Sequence, residues 1–184
     1  MPGLPQLEAP LSDGVVALRG WTEDDVDPMV PLLNDAEIVR WTRVPSPYTR
    51  ADAEEFLARA EHLRERGDEL SLAIVPADGP AELLGSISVR VTSREHCRGE
   101  LGYLVFEPAR GRGVATRGVR LLARHGFERL NLERVEVYAA TGNRASQRVA
   151  EKAGFTREGV MRSFMDNRGE RQDMVAFSIL PNEL

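Results

Sequence analysis

Arg110-Gly111-Arg112-Gly113-Val114-Ala115-Thr116 sets consecutive backbone N–H groups, two glycines and two cations where a helix is expected to begin. A helix N-terminus leaves its first N–H groups unpaired and carries partial positive charge, so this stretch is suited to cradle an anion, a phosphate above all. The spacing of its small residues separates the known phosphate loops. A P-loop needs Gly-x-x-x-x-Gly-Lys followed by Ser or Thr, and no lysine follows a glycine in this region. The dinucleotide pattern Gly-x-Gly-x-x-Gly starts at Gly111 and Gly113 but meets Thr116 where a third small residue should let helix and strand pack closely. What fits is Arg-x-x-Gly-x-Ala, at Arg110, Gly113 and Ala115. Beside it stands the plainer reading of an Arg/Gly-rich surface turn that caps an ordinary helix.

A second constellation opens with Asn143-Arg144-Ala145-Ser146 and closes at Gly154. By residue type alone, Asn143 is a preferred N-cap, Ser146 a polar first-turn residue and Gly154 a C-cap. Function is favoured by the pairing of the two segments. Two helix N-termini that follow parallel strands open on one edge of a sheet, where ligands collect. Glu100 heads the strand that leads into the cradle. A carboxylate there can act as a general base, although it also reads as an exposed strand-end side chain. Asp166 and His96 are substitutes for that role. His62, His96 and His125 lack metal-ligand spacing, so no metal site is expected, and His125 reads as a surface residue of the cradle helix. The single cysteine, Cys97, has no internal disulfide partner and no evident histidine partner, so it does not read as an activated thiol nucleophile.

The elements that must position these residues follow from periodicity and punctuation. Residues 1–14 read as a loose leader rich in proline, and Val15 to Trp21 as a first strand. Thr22 or Asp27 caps a short or broken helix containing Pro28 and Pro31. Thr49 with Asp52 starts a clearer helix that carries Ala53, Phe56, Leu57, Ala60 and Leu63 on one face and stops near Gly67. Leu70–Val75, Leu83–Thr92 and Leu101–Phe106 read as three consecutive antiparallel strands, with a polar loop from Ser93 to Gly99. Then come the cradle helix from Val114 to Phe127, a strand from Arg134 to Ala140, and a helix from Asn143 to Ala153. Val160–Met165 and Met174–Leu180 flank the turn signal Asp166-Asn167-Arg168-Gly169. This order predicts an α/β (α+β) fold, a mixed and mostly antiparallel sheet with a central parallel strand pair near residues 105 and 137, flanked by helices.

At 184 residues one domain, 15–184, is expected after the leader. Twenty-nine acidic against 24 basic residues give a net charge of −5, which argues against a nucleic-acid partner. No apolar run reaches the length of a membrane span and no secretory pattern follows Met1, so neither a membrane nor a secreted location is expected, and the cytoplasm is. The tract Glu23, Asp24, Asp25 and Asp27 suits a cationic partner, or is simply a solvated helix start.

The Arg110, Gly113, Ala115 pattern resembles the acetyl-CoA pyrophosphate loop of the GNAT superfamily of N-acetyltransferases. Asn143 through Phe155, Glu158-Gly159-Val160-Met161-Arg162, and Asp173 through Leu180 are similar to the RimJ/RimL branch, the ribosomal-protein N-terminal acetyltransferase type, as are Glu37-Ile38-Val39-Arg40-Trp41 and Pro47-Tyr48-Thr49. The resemblance spans roughly Val15 to Leu180. It implies a GNAT-like fold, acetyl-CoA as cosubstrate without a metal, and direct acetyl transfer to a primary amine, either a protein N-terminus or a small molecule. It also implies roles. Backbone groups of Leu104, Val105 and Phe106 would meet the pantetheine amides, and Gly111, Arg112, Gly113, Val114, Ala115 and Thr116 would hold the pyrophosphate, with Arg110 and Arg112 adding charge. Asn143 would touch the pantetheine arm, and Ser146 would donate to the leaving thiolate. Arg117 and Arg120 are placed to reach outer phosphates or to solvate their helix. Many members carry a tyrosine proton donor on the later helix, and this chain has none there. That departure keeps open a non-catalytic acyl-CoA-sensing or interaction module with the same fold. A homodimer is a family expectation.

Overall fold

The structure is a computed structural model that describes residues 3–184. Its frame is one eight-stranded sheet in the order β1-β2-β3-β4-β5-β6-β8-β7. The strands are β1 (Leu11–Ser12), β2 (Val16–Arg19), β3 (Glu69–Pro76), β4 (Gly85–Ser93), β5 (Arg98–Val105), β6 (Arg134–Ala140), β7 (Thr156–Asn167) and β8 (Glu170–Ile179). All neighbours are antiparallel except β5 and β6. The parallel pair needs a crossover, which the helix α4 (Val114–Arg129) supplies. The other helices are α1 (Val26–Leu33), α2 (Ala36–Trp41), α3 (Arg50–Glu65) and α5 (Arg144–Ala153).

The central strands read as apolar runs because they are buried on both faces. On β3, Leu72 and Ile74 enter one core with Ile87, Val89, Val119, Leu122, Val137 and Phe177, under α4 and α5. The alternate residues Ala73 and Val75 enter the other with Val26, Met29, Ile38, Ala53 and Phe106, under α1 to α3. Thr49 and Asp52 form the expected capping box, with the Thr49 N–H donating to Asp52 at 2.8 Å. The turn between β7 and β8 places Arg168 at φ 56° and Gly169 at φ 85°, the two left-handed residues of a tight hairpin.

Four expectations are corrected. The leader is not loose in residues 3–14: Leu4 exchanges hydrogen bonds with Arg64, Leu4, Leu7 and Leu11 pack on the core, and β1 adds a strand to the sheet edge. Residues 1–2 lie outside the described residues. β5 begins at Arg98, so Glu100 is its third residue rather than its head. His125 is 8% exposed, packed inward from α4, and burial pushes its pKa below the ordinary histidine value. Asp25 is no solvated member of an acidic tract but 3% exposed, with both carboxylate oxygens on Arg19 and one on the Thr22 N–H. Burial alone would raise its carboxyl; the Arg19 and Thr22 bonds outweigh it and hold it below the usual range.

Candidate active site

β5 and β6 are in register only at Arg98 with Arg134, Gly99 with Val135 and Glu100 with Glu136. Past Glu100 each strand stays with its outer neighbour, β5 with β4 as far as Val105 and β6 with β8 as far as Ala140. The sheet therefore splits, and the split widens toward the start of α4 and α5. The Phe106 N–H donates to the Leu84 carbonyl at 2.9 Å, which fixes the parity of the ladder. Phe106 and Leu104 direct their backbone toward β4, while Tyr103 and Val105 direct theirs into the split. The expectation that Leu104, Val105 and Phe106 all offer free backbone is thus corrected. Of the three, Val105 does, and its carbonyl already accepts from Arg110 Nε at 3.1 Å.

At the split's wide end, Gly111 and Gly113 hold φ 75° and 78°, and a Cβ built on either would meet nothing within 4 Å. Only glycine adopts that backbone without strain, and the space a side chain would fill is open. Gly113 is the N-cap of α4, no side chain caps the helix, and its first turn contains no acidic residue. The leading N–H groups of Val114, Ala115 and Thr116 are therefore available to an anion, and the cradle fits a pyrophosphate. Arg112 is exposed at its tip. Arg110, expected to add charge there, turns away and pairs with Asp35, the N-cap of α2, whose carboxyl the Arg110 hydrogen bond holds below the usual range. Arg117 pairs with Asp13 at 2.7 Å, and Arg120 Nε donates to the Ala153 carbonyl at 3.3 Å. These three cations brace the cradle against neighbouring elements.

Asn143 caps α5, its Oδ1 accepting from the Ser146 N–H at 3.0 Å. The Ser146 hydroxyl lies 3.0 Å from the Tyr103 hydroxyl, which also reaches the Ser146 carbonyl at 3.1 Å. Burial pushes the Tyr103 phenol up to about 12, against a smaller downward pull from Ser146. Sequence reasoning missed Tyr103, because periodicity shows which face a β5 side chain occupies and not which helix it touches across the sheet.

Glu100 occupies the opposite face, since side chains alternate along a strand. It stands in a polar row across the sheet in which Glu69, Arg90, Glu100, Glu136 and Ser178 are successive register partners. Arg90 pairs with Glu69 at 2.9 Å, and Arg134 with Glu136 at 2.8 Å. Among the described residues no hydrogen bond or ion pair engages the Glu100 carboxylate, and burial pushes its pKa above the ordinary value, Arg90 opposing. It is the carboxylate of the row best placed to exchange a proton. Beyond β6, a cavity of about 400 Å³ is lined by Trp41, Thr141, Gly142, Arg171 and Asp173, among others. Across from it the β7–β8 turn leans on the end of α2, with Asn167 Nδ2 donating to the Arg40 carbonyl at 3.1 Å and Arg168 donating to that of Val44. The substitutes His96 and Asp166 lie in the exposed β4–β5 turn and at the β7–β8 tip.

The chain and its fold have counterparts among known proteins. The chain is 36% identical over 101 residues to YdaF of Bacillus subtilis (strain 168), provisionally named a ribosomal N-acetyltransferase; the match spans 55% of either chain, about half that relative's length. It is 25% identical over 169 residues to the uncharacterized N-acetyltransferase p20 of Bacillus licheniformis, spanning 91% of this chain and 94% of p20. The structure of Mycobacterium smegmatis RimJ in complex with CoA-disulfide shares the fold, with a TM-score of 0.84 at 24% identity over 96% of this chain and 88% of RimJ. The model of the acetyltransferase (GNAT) domain matches residues 16–156, a range that takes in β2 through the start of β7 with the split and both helix starts, and the chain belongs to the GNAT acetyltransferase family.

Proposed function

We propose that this N-acetyltransferase moves an acetyl group from acetyl-CoA directly to a primary amine, with the donor in the β5–β6 split and the acceptor on the Glu100 face. The observation that carries the reading is the split itself, which opens onto the glycine cradle of α4 on one side and the Asn143-capped start of α5 on the other. Bound acetyl-CoA supplies an activated thioester carbonyl. The N–H groups of Gly111 to Thr116 hold the pyrophosphate, Val105 and Leu104 line the pantetheine arm beside Asn143, and Phe106 backs them from the core. Glu100 accepts a proton from the incoming ammonium, directly or through water, so that the amine lone pair can attack. The nitrogen of the tetrahedral adduct gives up its second proton to solvent, the oxyanion re-forms the carbonyl, and as the carbon–sulfur bond breaks with its electron pair going to sulfur, Ser146 donates a hydrogen bond to the departing thiolate. Base and donor lie on opposite faces of the sheet, so the two proton-handling groups do not neutralise each other.

The acceptor enters by the cavity between Trp41 and Asp173. A protein N-terminus is the acceptor favoured, supported by the name of the YdaF relative and by a mouth that offers a carboxylate, a guanidinium and an indole to a short peptide. Thiol release from acetyl-CoA, measured across peptides of varied first residue, polyamines, aminoglycosides and amino acids, tests this. Turnover is expected with peptides, and acetyl-CoA binding with no turnover on any amine would identify a sensor instead.

A further inference from the structure

We propose that Tyr103 is a positioning residue that frees the Ser146 hydroxyl proton and aims it at the departing sulfur. The proposal rests on the reading of Ser146 as thiolate partner. Tyr103 belongs to β5, beyond its last register pair with β6 and held on the other edge opposite Ile87, so its side chain spans from the split sheet to the first turn of α5. The Ser146 main chain is independently fixed by the Asn143 cap. What remains to be set is the rotation of one hydroxyl.

Counting protons shows how Tyr103 sets it. The phenol has one proton and two acceptors within reach, the Ser146 carbonyl at 3.1 Å and the Ser146 Oγ at 3.0 Å. When the phenol donates to the carbonyl, its oxygen is the acceptor for the serine proton, and the serine faces tyrosine. When the phenol donates to Oγ, the serine proton is released, and a serine hydroxyl that accepts one bond still donates one. Negative charge developing on sulfur favours the second arrangement, a chain from tyrosine to serine to sulfur in which each bond polarises the next. No proton leaves either oxygen. The electron pair of the broken carbon–sulfur bond stays on sulfur, stabilised by the serine donor, and solvent protonates the thiolate after release. Burial, which pushes the phenol up to about 12, keeps Tyr103 a donor throughout the neutral range.

A double-mutant cycle tests this, with Tyr103→Phe, Ser146→Ala and the double variant assayed across acetyl-CoA concentrations up to saturation. Tyr103→Phe keeps the ring and its packing. It is expected to lower kcat by about tenfold, the loss typical of one weakened donor, while KM for acetyl-CoA stays within about twofold. Once Ser146 is alanine, removing the phenol should cost nothing further. Equal kcat for Tyr103→Phe and wild type, or losses that multiply in the double variant, would overturn the proposal while leaving Ser146 in place. A wild-type kcat for Ser146→Ala would overturn the reading of Ser146 and the proposal with it. A purely structural role for Tyr103 would lower kcat equally with or without the serine, which the cycle separates.

Discussion

Glu100 is a carboxylate that the fold half-buries without a hydrogen-bonded or ion-paired partner among the described residues, while its neighbours in the same row, Glu69 and Glu136, each have an arginine. Leaving a charge in that position costs stability, and the cost falls on a definite side of the titration. Because its pKa is raised in the folded chain, Glu100 holds its proton more tightly folded than unfolded. Its contribution to stability is complete below the ordinary carboxylate value of about 4.3 and is lost as pH rises through the folded value. Glu100→Gln should therefore melt higher than wild type at pH 7, with the difference closing below about pH 4. The same variant should lose most of its turnover near neutrality. Differential scanning calorimetry across pH, paired with the thiol-release assay, checks both; a melting temperature that falls at pH 7 would show that Glu100 is held by interactions its burial conceals.

Among the elements, the start of α4 was the most legible in the sequence and the least dependent on anything distant. Two glycines at positive φ and an uncapped first turn follow from the local residue types, although the spacing Arg110, Gly113, Ala115 alone read equally as a phosphate cradle or a plain surface turn. Gly113→Val is expected to weaken acetyl-CoA binding by at least about tenfold, by filling the open space beside the helix start and straining a left-handed backbone. Titration calorimetry that returned wild-type affinity would contradict it. The capping box of α3 and the Arg168-Gly169 turn were legible for the same reason, being settled within a few residues. What the sequence left hidden were pairings between distant elements. Arg110 beside the cradle looked like a phosphate ligand, yet its partner Asp35 lies at the N-terminus of α2. Leu4 and Leu7 looked like parts of a loose leader because nothing local shows the core they pack on. Likewise Tyr103 alternates correctly for a β5 residue, but its contact with Ser146 depends on where β6 delivers α5.

At the scale of the molecule, three register pairs between β5 and β6 join strands β1 to β5 with strands β6 to β8. Other ties supplement them at a distance from that seam: Tyr103 reaching α5 on one face, and the β7–β8 turn resting on the end of α2 on the other. The backbone bonds that an unbroken sheet would form past Glu100 are absent, which leaves the split open. In an isotope-exchange experiment this divides one strand into two regimes. Amide hydrogens of β5 that face β4, such as that of Leu104, should exchange slowly with or without ligand, whereas that of Val105, which faces the split, should exchange fast in the free protein and become protected when acetyl-CoA is added. Equal protection of both in the free protein would mean that the split closes in solution. A strand laddered on one edge and open on the other thus carries its own internal standard, every second amide reporting the fold and those between reporting the ligand.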